Sequence, residues 1–306
     1  TLEIRIATRK SELALWQAKH VARKLEALPA VRSVSLVPMS TRGVDILDKS
    51  LQKIGGKGLF IKELEVAMLA GDADIAVHSM KDVPAEMPAG FCIAALLERA
   101  NPTDAFVSGS DKRFVELPAG AKIGSSSLRR QAQLRAMRPD IEVIPLRGNV
   151  NTRLRKLADG EYDAIILASA GLERLGLADH ITEAFSVTQM LPAAAQGVVG
   201  VECLSNRQDL RDVLAGIGDE RAMLTTAAER AVAATLEANC QSPVASYAEL
   251  ENGQLDIQAL VASEDGTTVL RASAAGPAAE AESLGTEVAR RLLDRGAGDI
   301  LAGGSG

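Results

Sequence analysis

The sequence is poor in cysteine, in aromatic residues and in long apolar stretches. Its 306 residues include three cysteines and one tryptophan, aromatic side chains make up 3%, and the formal net charge is −6. Three distant cysteines form neither a disulfide framework nor a Cys-x-x-Cys metal site, so we expect no metal and a reduced, cytoplasmic protein. Few aromatics and an acidic balance argue against nucleic-acid binding. No run approaches the roughly 20 apolar residues of a membrane span, so we expect no membrane partner.

Strands and helices alternate along most of the chain. Residues 4–6, a helix that ends at Leu28 and residues 34–37 form a strand–helix–strand unit, which predicts a parallel sheet. The alternation restarts after a polar break at 98–103, and residues 193–197 read as a second crossing between two α/β lobes. Beyond them, short alternating segments separated by Asn-Gly and Asp-Gly turns predict an antiparallel meander covered by a last helix.

These patterns predict the fold class and the domain organisation. We expect two α/β domains that resemble type II periplasmic binding proteins, with a hinge cleft, followed by a C-terminal α+β domain with a three-stranded antiparallel sheet. Domain 1 comprises residues 1–98 and 197–217, domain 2 residues 99–196, and domain 3 residues 218–306.

A cluster of polar residues follows the short apolar run at 75–77. His78, Ser79, Lys81 and Asp82 come directly after or at the end of this predicted strand. Ligands of open α/β sheets bind beyond the carboxyl ends of the strands, so this cluster is a candidate site. A solvated turn is the alternative interpretation of such a polar stretch.

Basic residues are concentrated between positions 129 and 156, where eight basic side chains face two acidic ones in an acidic protein. Four of the arginines fall at predicted strand ends or helix starts: Arg129, Arg130, Arg147 and Arg153. Guanidinium groups in such places suit carboxylate or phosphate ligands. Solvated helix faces account for the remaining basic residues.

Cys240 differs from the other two cysteines because it follows a long Ala-rich helix in a polar break. We expect Asn239 to end that helix in a left-handed conformation. Cys92 and Cys203 read as inert core residues. No histidine is near Cys240 in sequence, so a nucleophilic dyad is not indicated, although a reactive thiol remains possible.

Five motifs together resemble the porphobilinogen deaminase (hydroxymethylbilane synthase) family. They occupy residues 7–11, 55–60, 78–84, 126–130 and 147–153, and the resemblance extends in order over essentially the whole chain. It implies a transferase of tetrapyrrole (haem) biosynthesis that condenses four porphobilinogen molecules head to tail, releases ammonia and forms hydroxymethylbilane. The implied partners are porphobilinogen and the growing polypyrrole, and the implied state is a monomer.

The resemblance also implies roles for individual residues. Cys240 is similar to the thiol that holds a dipyrromethane cofactor through a thioether, and Asp82 to the catalytic carboxylate. The implied cofactor-binding residues are Ser79, Lys81, Asp82, Ser127, Arg129, Arg130 and Arg147. The implied substrate-binding residues are Arg9, Ser11, Arg153, Arg174 and Gln196. The segment 44–58 resembles a lid, to which Lys53, Lys57 and Phe60 are assigned.

Two departures from the family pattern stand near these residues. Ala238 and Asn239 precede the cysteine where the family commonly has two glycines, and Ala195 replaces a customary glycine before Gln196. The alternative function is a non-catalytic clamshell that binds a small polycarboxylate anion. Asp82 and Cys240 favour the transferase, because a pure anion binder needs neither a carboxylate nor a tethering thiol.

Overall fold

The computed structural model describes residues 1–39 and 57–303. Strands within these ranges are β1 Leu2–Arg9, β2 Val31–Met39, β3 Ile75–Ser79, β4 Phe91–Leu96, β5 Asp104–Ser108, β6 Lys122–Gly124, β7 Glu142–Ile144, β8 Ala164–Ala168, β9 Glu183–Ala184, β10 Val199–Leu204, β11 Val244–Glu251, β12 Gln254–Ala262 and β13 Val269–Pro277. The α-helices are α1 Glu12–Glu26, α2 Lys57–Leu69, α3 Leu128–Met137, α4 Val150–Ala158, α5 Ser169–Arg174, α6 Gln208–Ala215, α7 Glu220–Thr235, α8 Ala281–Asp294 and α9 Ala297–Gly303. In the described part of the chain, no helix combines the length and apolarity needed to cross a bilayer.

The chain divides into two units. The first comprises Thr1–Arg99 and Val198–Met223, and the second Ala100–Gly197 and Leu224–Gly306. The first unit contains one sheet, whereas the second contains two. The division into three domains made from the sequence stays a prediction.

The sheet of the first unit has the strand order β2-β1-β3-β10-β4. β1 is parallel to β2 and β3, as the strand–helix–strand pattern predicts. The prediction of a parallel sheet is nevertheless wrong for β10, which runs antiparallel to both β3 and β4. β10 enters the sheet only after the chain has passed through the second unit, and an antiparallel strand needs no helical crossover from its neighbour.

Helices cover both faces of this sheet, because its central strands are apolar on both sides. Ile6 and Val201 on one face pack with Val21 and Leu25 of α1. On the other face, α2 packs through Leu64, Ala67 and Met68 on Ala7 and Ala76. The end of β3 is therefore held between α1 and α2.

The α/β part of the second unit contains a five-stranded sheet with the order β7-β6-β8-β5-β9. β6 is parallel to β7 and β8, and β5 is antiparallel to β8 and β9. Three phenylalanines, Phe106, Phe114 and Phe185, contact one another edge to face, with ring centroids 5.4 to 5.9 Å apart. They form the centre of one of its cores.

The C-terminal part of the second unit is an antiparallel sheet in the order β11-β12-β13. Asn252 and Gly253 join its first two strands with φ angles of 51° and 76°, as an Asn-Gly hairpin turn requires. α8 packs Leu284, Val288 and Leu292 on this sheet. The predicted fold class, two α/β parts followed by an α+β part with a three-stranded antiparallel sheet, is confirmed.

Candidate active site

A short 3₁₀ helix, Met80–Asp82, carries Asp82 directly beyond the carboxyl end of β3. Two backbone hydrogen bonds fix this turn, from Met80 N–H to the Val198 carbonyl at 2.9 Å and from Val83 N–H to the Met80 carbonyl at 3.1 Å. The Met80 side chain is buried in the space above Gly200, where a β-carbon would collide with its sulfur. Asp82 thus lies half-buried on a backbone that is anchored on both sides.

Five predicted site residues line one cavity in the first unit. The cavity has a volume of about 120 Å³, and its walls include Arg9, Ser11, Phe60, Ser79 and Asp82. Residues from β1, α1, α2 and the end of β3 therefore meet at one edge of the sheet. Ligands of open α/β sheets bind at this edge, beyond the carboxyl ends of the strands. The roles assigned to these residues stay predictions.

Arg9 lies over the aromatic ring of Phe60, with its guanidinium carbon 4.0 Å from the ring centroid. Neighbouring protein atoms remove water from Arg9 and lower its pKa, while the negative charge of Asp82 acts in the opposite direction. The cavity therefore combines a guanidinium, held by an aromatic face, with a carboxylate that influences it electrostatically.

Ser11 and Ser79 have structural partners in the same region. Ser11 caps α1, because its hydroxyl accepts a hydrogen bond from Ala14 N–H at 3.3 Å. The hydroxyl of Ser79 lies 2.9 Å from the amide nitrogen of Gln17. Sequence analysis missed Gln17; a polar residue on the otherwise apolar, core-facing side of α1 is the signal that identifies it.

The remaining predicted residues of this unit are placed only in part. Lys81 is half-buried in the 3₁₀ helix beside Asp82. Lys57 begins α2. The predicted lid at 44–58 falls mainly outside the described residues, and so does Lys53.

Arg129 and Arg130, at the start of α3, both bind the carboxylate of Asp104. Nη1 of Arg129 is 2.7 Å from Asp104 Oδ2, and Nε of Arg130 is 2.8 Å from Asp104 Oδ1. All three side chains are buried. Two guanidinium groups therefore share the carboxylate of Asp104 at this point of the second unit. Sequence analysis missed Asp104, although an acidic residue that opens a fully buried strand signals a buried cationic partner.

Ser127 and Gln196 hold this arginine pair in place. The Ser127 hydroxyl accepts a hydrogen bond from Arg130 N–H at 3.2 Å and so caps α3. Gln196 is buried, accepts from Nη2 of Arg129 at 3.2 Å and donates to the Pro102 carbonyl at 2.7 Å. Both predicted residues therefore contact or cap the helix that presents the arginines.

Of the three other predicted arginines, Arg153 and Arg174 each donate a hydrogen bond to the carbonyl of a glycine. Arg147 is exposed, and Arg153 donates from Nε to the Gly148 carbonyl at 2.7 Å. Arg174 donates to the Gly197 carbonyl at 3.0 Å, and burial lowers its pKa.

Cys240 lies in an exposed turn after α7 and is the only exposed cysteine of the three, all of which are described. The prediction that Asn239 ends the helix in a left-handed conformation is wrong: the positive φ, 53°, belongs to Glu237. Hydrogen bonds from Glu237 N–H to the Ala234 carbonyl and from Ala238 N–H to the Ala233 carbonyl form a Schellman motif. The left-handed residue that ends the helix therefore lies two positions before the expected Asn239. Ala238 and Asn239 do not need the positive φ angle that favours glycine.

Asn239 instead shapes the turn that exposes the thiol. Its side-chain oxygen accepts from Gln241 N–H at 2.8 Å, and its own N–H donates to the Ser242 hydroxyl at 3.1 Å. The side-chain amide nitrogen of Gln241, Nε2, lies 4.0 Å from the Cys240 sulfur. The chain therefore presents this thiol to solvent from a hydrogen-bonded loop.

Comparison with known proteins gives the family. Residues 4–212 match the family described as "Porphobilinogen deaminase, dipyromethane cofactor binding domain", and residues 223–294 match "Porphobilinogen deaminase, C-terminal domain". The chain belongs to the porphobilinogen deaminase family. A porphobilinogen deaminase of Chromobacterium violaceum is 53% identical over 300 residues, which cover 98% of this chain and 97% of the relative. One of Stenotrophomonas maltophilia is 53% identical and covers 97% of this chain and 98% of the relative.

Two solved structures align with most of this chain at low sequence identity. The periplasmic VFT2 domain of Bordetella pertussis BvgS aligns with a TM-score of 0.41 at 14% identity, covering 70% of this chain and 86% of that one. The methionine-binding protein MetQ aligns with a TM-score of 0.44 at 11% identity, covering 76% and 94%. Similarity at this level does not indicate a shared function.

The donor set of this porphobilinogen deaminase family member fits the cofactor named in the family description. The family resemblance implies a dipyrromethane that carries carboxylate side chains and is attached through a thiol. The second unit offers one exposed thiol, Cys240, and a buried arginine pair that contacts Asp104. Within the described residues, no group of three or more His, Cys, Asp and Glu side chains is arranged to hold a metal ion. A larger cavity of about 590 Å³ lies on the C-terminal sheet and contains none of the predicted site residues.

Proposed function

We propose that this protein condenses four porphobilinogen molecules head to tail, releases ammonia and forms hydroxymethylbilane, in tetrapyrrole (haem) biosynthesis. The observation that carries the proposal is the cavity of the first unit, in which Asp82, Arg9 and Ser11 line one space in a member of the porphobilinogen deaminase family. Membership does not favour the alternative of a non-catalytic anion binder.

Asp82 is the proposed catalytic group. When the amino group of the aminomethyl side chain of porphobilinogen leaves as ammonia, its C–N bond breaks, and positive charge develops on the methylene carbon that remains and on the pyrrole ring with its N–H. A carboxylate held at the end of β3 stabilises that charge and can accept and return a proton. The anchored 3₁₀ helix keeps this carboxylate from following the ring as it reacts.

Arg9 and Ser11 are proposed to bind the carboxylates of the substrate. A guanidinium can donate two parallel hydrogen bonds to a carboxylate, and Arg9 lies with its face against Phe60, which orients those donors. Arg153, Arg174 and Gln196 are proposed for the same class of contact in the second unit, toward the acetate and propionate groups of the growing polypyrrole.

The dipyrromethane cofactor is proposed to be attached to the Cys240 sulfur through a thioether. When bound, it supplies the free pyrrole carbon onto which the chain grows. Arg129, Arg130 and Arg147 are proposed to neutralise its carboxylates, and Ser127 keeps the first two in place by capping their helix. Ser79, Lys81 and Asp82 are proposed as its contacts in the first unit.

We propose a monomer in the cytoplasm that has no nucleic-acid or membrane partner, with three domains at residues 1–98 with 197–217, 99–196 and 218–306.

Turnover of porphobilinogen by the purified holoenzyme tests the function. We expect one ammonia released for each porphobilinogen consumed, and a loss of about 10²–10⁴-fold in kcat for Asp82→Asn with the fold retained. Glu86→Gln changes an exposed carboxylate four residues away and should keep normal turnover. Consumption without ammonia release, or an Asp82→Asn variant as active as the control, would contradict the proposal.

A further inference from the structure

Three buried titratable groups form a cluster behind the Asp82 cavity, and the proposed chemistry uses none of them. Glu202 on β10 is 0% exposed, and Glu65 on α2 and His78 on β3 are each 7% exposed. His78 also lines the cavity that contains Asp82. The cluster therefore connects the interior of the first unit to the wall of the candidate active site.

The strand register brings His78 and Glu202 together. His78 is opposite Gly200 and Glu202 is opposite Ala76 in the antiparallel pair of β3 and β10. The two side chains thus occupy diagonal positions on one sheet face, and His78 Nε2 lies 2.8 Å from Glu202 Oε1. α2 covers this face, which places Glu65 against Glu202.

The second oxygen of Glu202 requires a shared proton. Among the described residues, Glu202 Oε2 is buried and has no N–H or O–H donor when both glutamates are ionised. Hydrogen bonding with Glu202 is one of the causes that raise the pKa of Glu65, and the other oxygen of Glu202, Oε1, already contacts His78. Two carboxyl groups can hydrogen-bond only when one of them carries a proton, because an ionised carboxylate is solely an acceptor. A proton on Glu65 therefore satisfies an oxygen whose desolvation is otherwise uncompensated.

The charges around Glu65 support this assignment. Burial raises the pKa of Glu65 to about 7, and the charge of Glu202 acts in the same direction. Lys62, one turn earlier on α2, acts in the opposite direction. His78 faces Glu202 from β3, so the groups to consider are one lysine, one histidine and two glutamates.

We propose that Glu65, Glu202 and His78 form a proton-sharing triad that keeps a single negative charge behind the wall of the Asp82 cavity and fixes the orientation of His78. The shared proton lies between Glu65 and Glu202, and His78 Nε2–H donates to the other oxygen of Glu202. Loss of the shared proton to solvent places a second negative charge beside His78. The catalytic consequence rests on the proposed function, in which all three are positioning residues that act through Asp82 and the anionic substrate.

Infrared difference spectra between the wild-type holoenzyme and Glu65→Gln test the shared proton without any turnover. We expect a protonated-carboxyl band that disappears as the pH rises through about 7 and that is absent from Glu65→Gln. Glu202→Gln removes the neighbouring charge and should move the disappearance to lower pH. Glu63→Gln, on the same helix, should keep the wild-type band. A wild type without the band would overturn the triad.

The pH profile of kcat/KM for porphobilinogen tests the positioning role. A second negative charge near the cavity disfavours a substrate that carries carboxylates, so we expect kcat/KM of wild type and Glu63→Gln to fall severalfold as the pH rises through about 7. Glu65→Gln should lack this fall. If wild type and Glu65→Gln have the same pH profile of kcat/KM while wild type shows the infrared band, the positioning role is overturned. Absence of turnover in every protein would overturn the proposed function, while the infrared band would still decide on the shared proton.

Discussion

Nη1 of Arg129 lies 2.7 Å from Oδ2 of Asp104, and the two side chains are only 5% and 0% exposed. Asp104 also binds Arg130, so one buried carboxylate holds the two guanidinium groups that open α3. Both arginines are therefore in place before any ligand arrives. A carboxylate ligand would meet donors whose ordering has already been achieved during folding.

Replacing Asp104 with asparagine tests this arrangement. Because the substitution removes a negative charge that two buried guanidinium groups contact, we expect a loss of about 3–5 kcal/mol in the free energy of unfolding. Urea denaturation measures it. Asp179→Asn alters an exposed acidic residue and should stay within about 0.5 kcal/mol of wild type. Equal stability of the two variants would show that the Asp104 contact contributes little.

Ala195 has a left-handed backbone, with a φ of 61°, in a turn closed by a hydrogen bond from Gln196 N–H to the Ala193 carbonyl. Glycine is favoured at this position of such a turn, because a β-carbon there costs about 1–2 kcal/mol. The turn is fixed from outside by buried Glu229, which accepts hydrogen bonds from Ala195 N–H and Ala248 N–H at 2.7 and 2.9 Å.

We therefore expect Ala195→Gly to be more stable than Ala194→Gly by about 1–2 kcal/mol. Ala194 lies in the same turn without a positive φ, so glycine there only adds conformational freedom to the unfolded chain. Unfolding free energies of both variants, measured in parallel, provide the comparison. The reverse order would mean that the methyl group of Ala195 contributes more by packing than it costs in backbone strain.

The raised pKa of Glu65 makes stability depend on pH. The pKa is 4.5 in the unfolded chain and about 7 in the folded one, so between these values the folded state binds more protons. Stability therefore falls as the pH rises from about 4.5 to about 7, and this contribution is constant outside that window. Relative to wild type, Glu65→Gln should gain stability across the window. Denaturation midpoints at several pH values test this, and parallel curves for the two proteins would contradict it.

Local patterning predicted the elements near the site closely. A continuous apolar run at 164–168 between turn residues predicts a strand that is buried on both faces, and the strand there is Ala164–Ala168. Asn149 is a residue type that favours the N-cap position, and its side chain caps α4, which begins at Val150. Asp82 lies directly beyond β3, where the pattern at 75–82 places it, whereas only the family resemblance indicated Arg9, Ser11 and Phe60.

Features that depend on distant partners were not predictable in this way. The direction of β10 follows from where the chain returns to the sheet, which periodicity does not report. The pairing of Arg129 with Asp104 links side chains 25 positions apart, and the Glu202–His78 contact links side chains 124 positions apart. Helix α6 was missed, as was the Schellman stop at Glu237, because a non-glycine residue takes the left-handed conformation there.

The mass of the purified, denatured protein tests the central claim most directly. We expect wild type to exceed its polypeptide mass by one dipyrromethane, and Cys240→Ser to have the polypeptide mass alone. Cys92→Ser, which changes a thiol 3.9 Å from the Cys203 sulfur within the sheet, should keep the added mass. A wild type with the bare polypeptide mass after incubation with porphobilinogen, or a Cys240→Ser variant that retains the addition, would contradict attachment at Cys240.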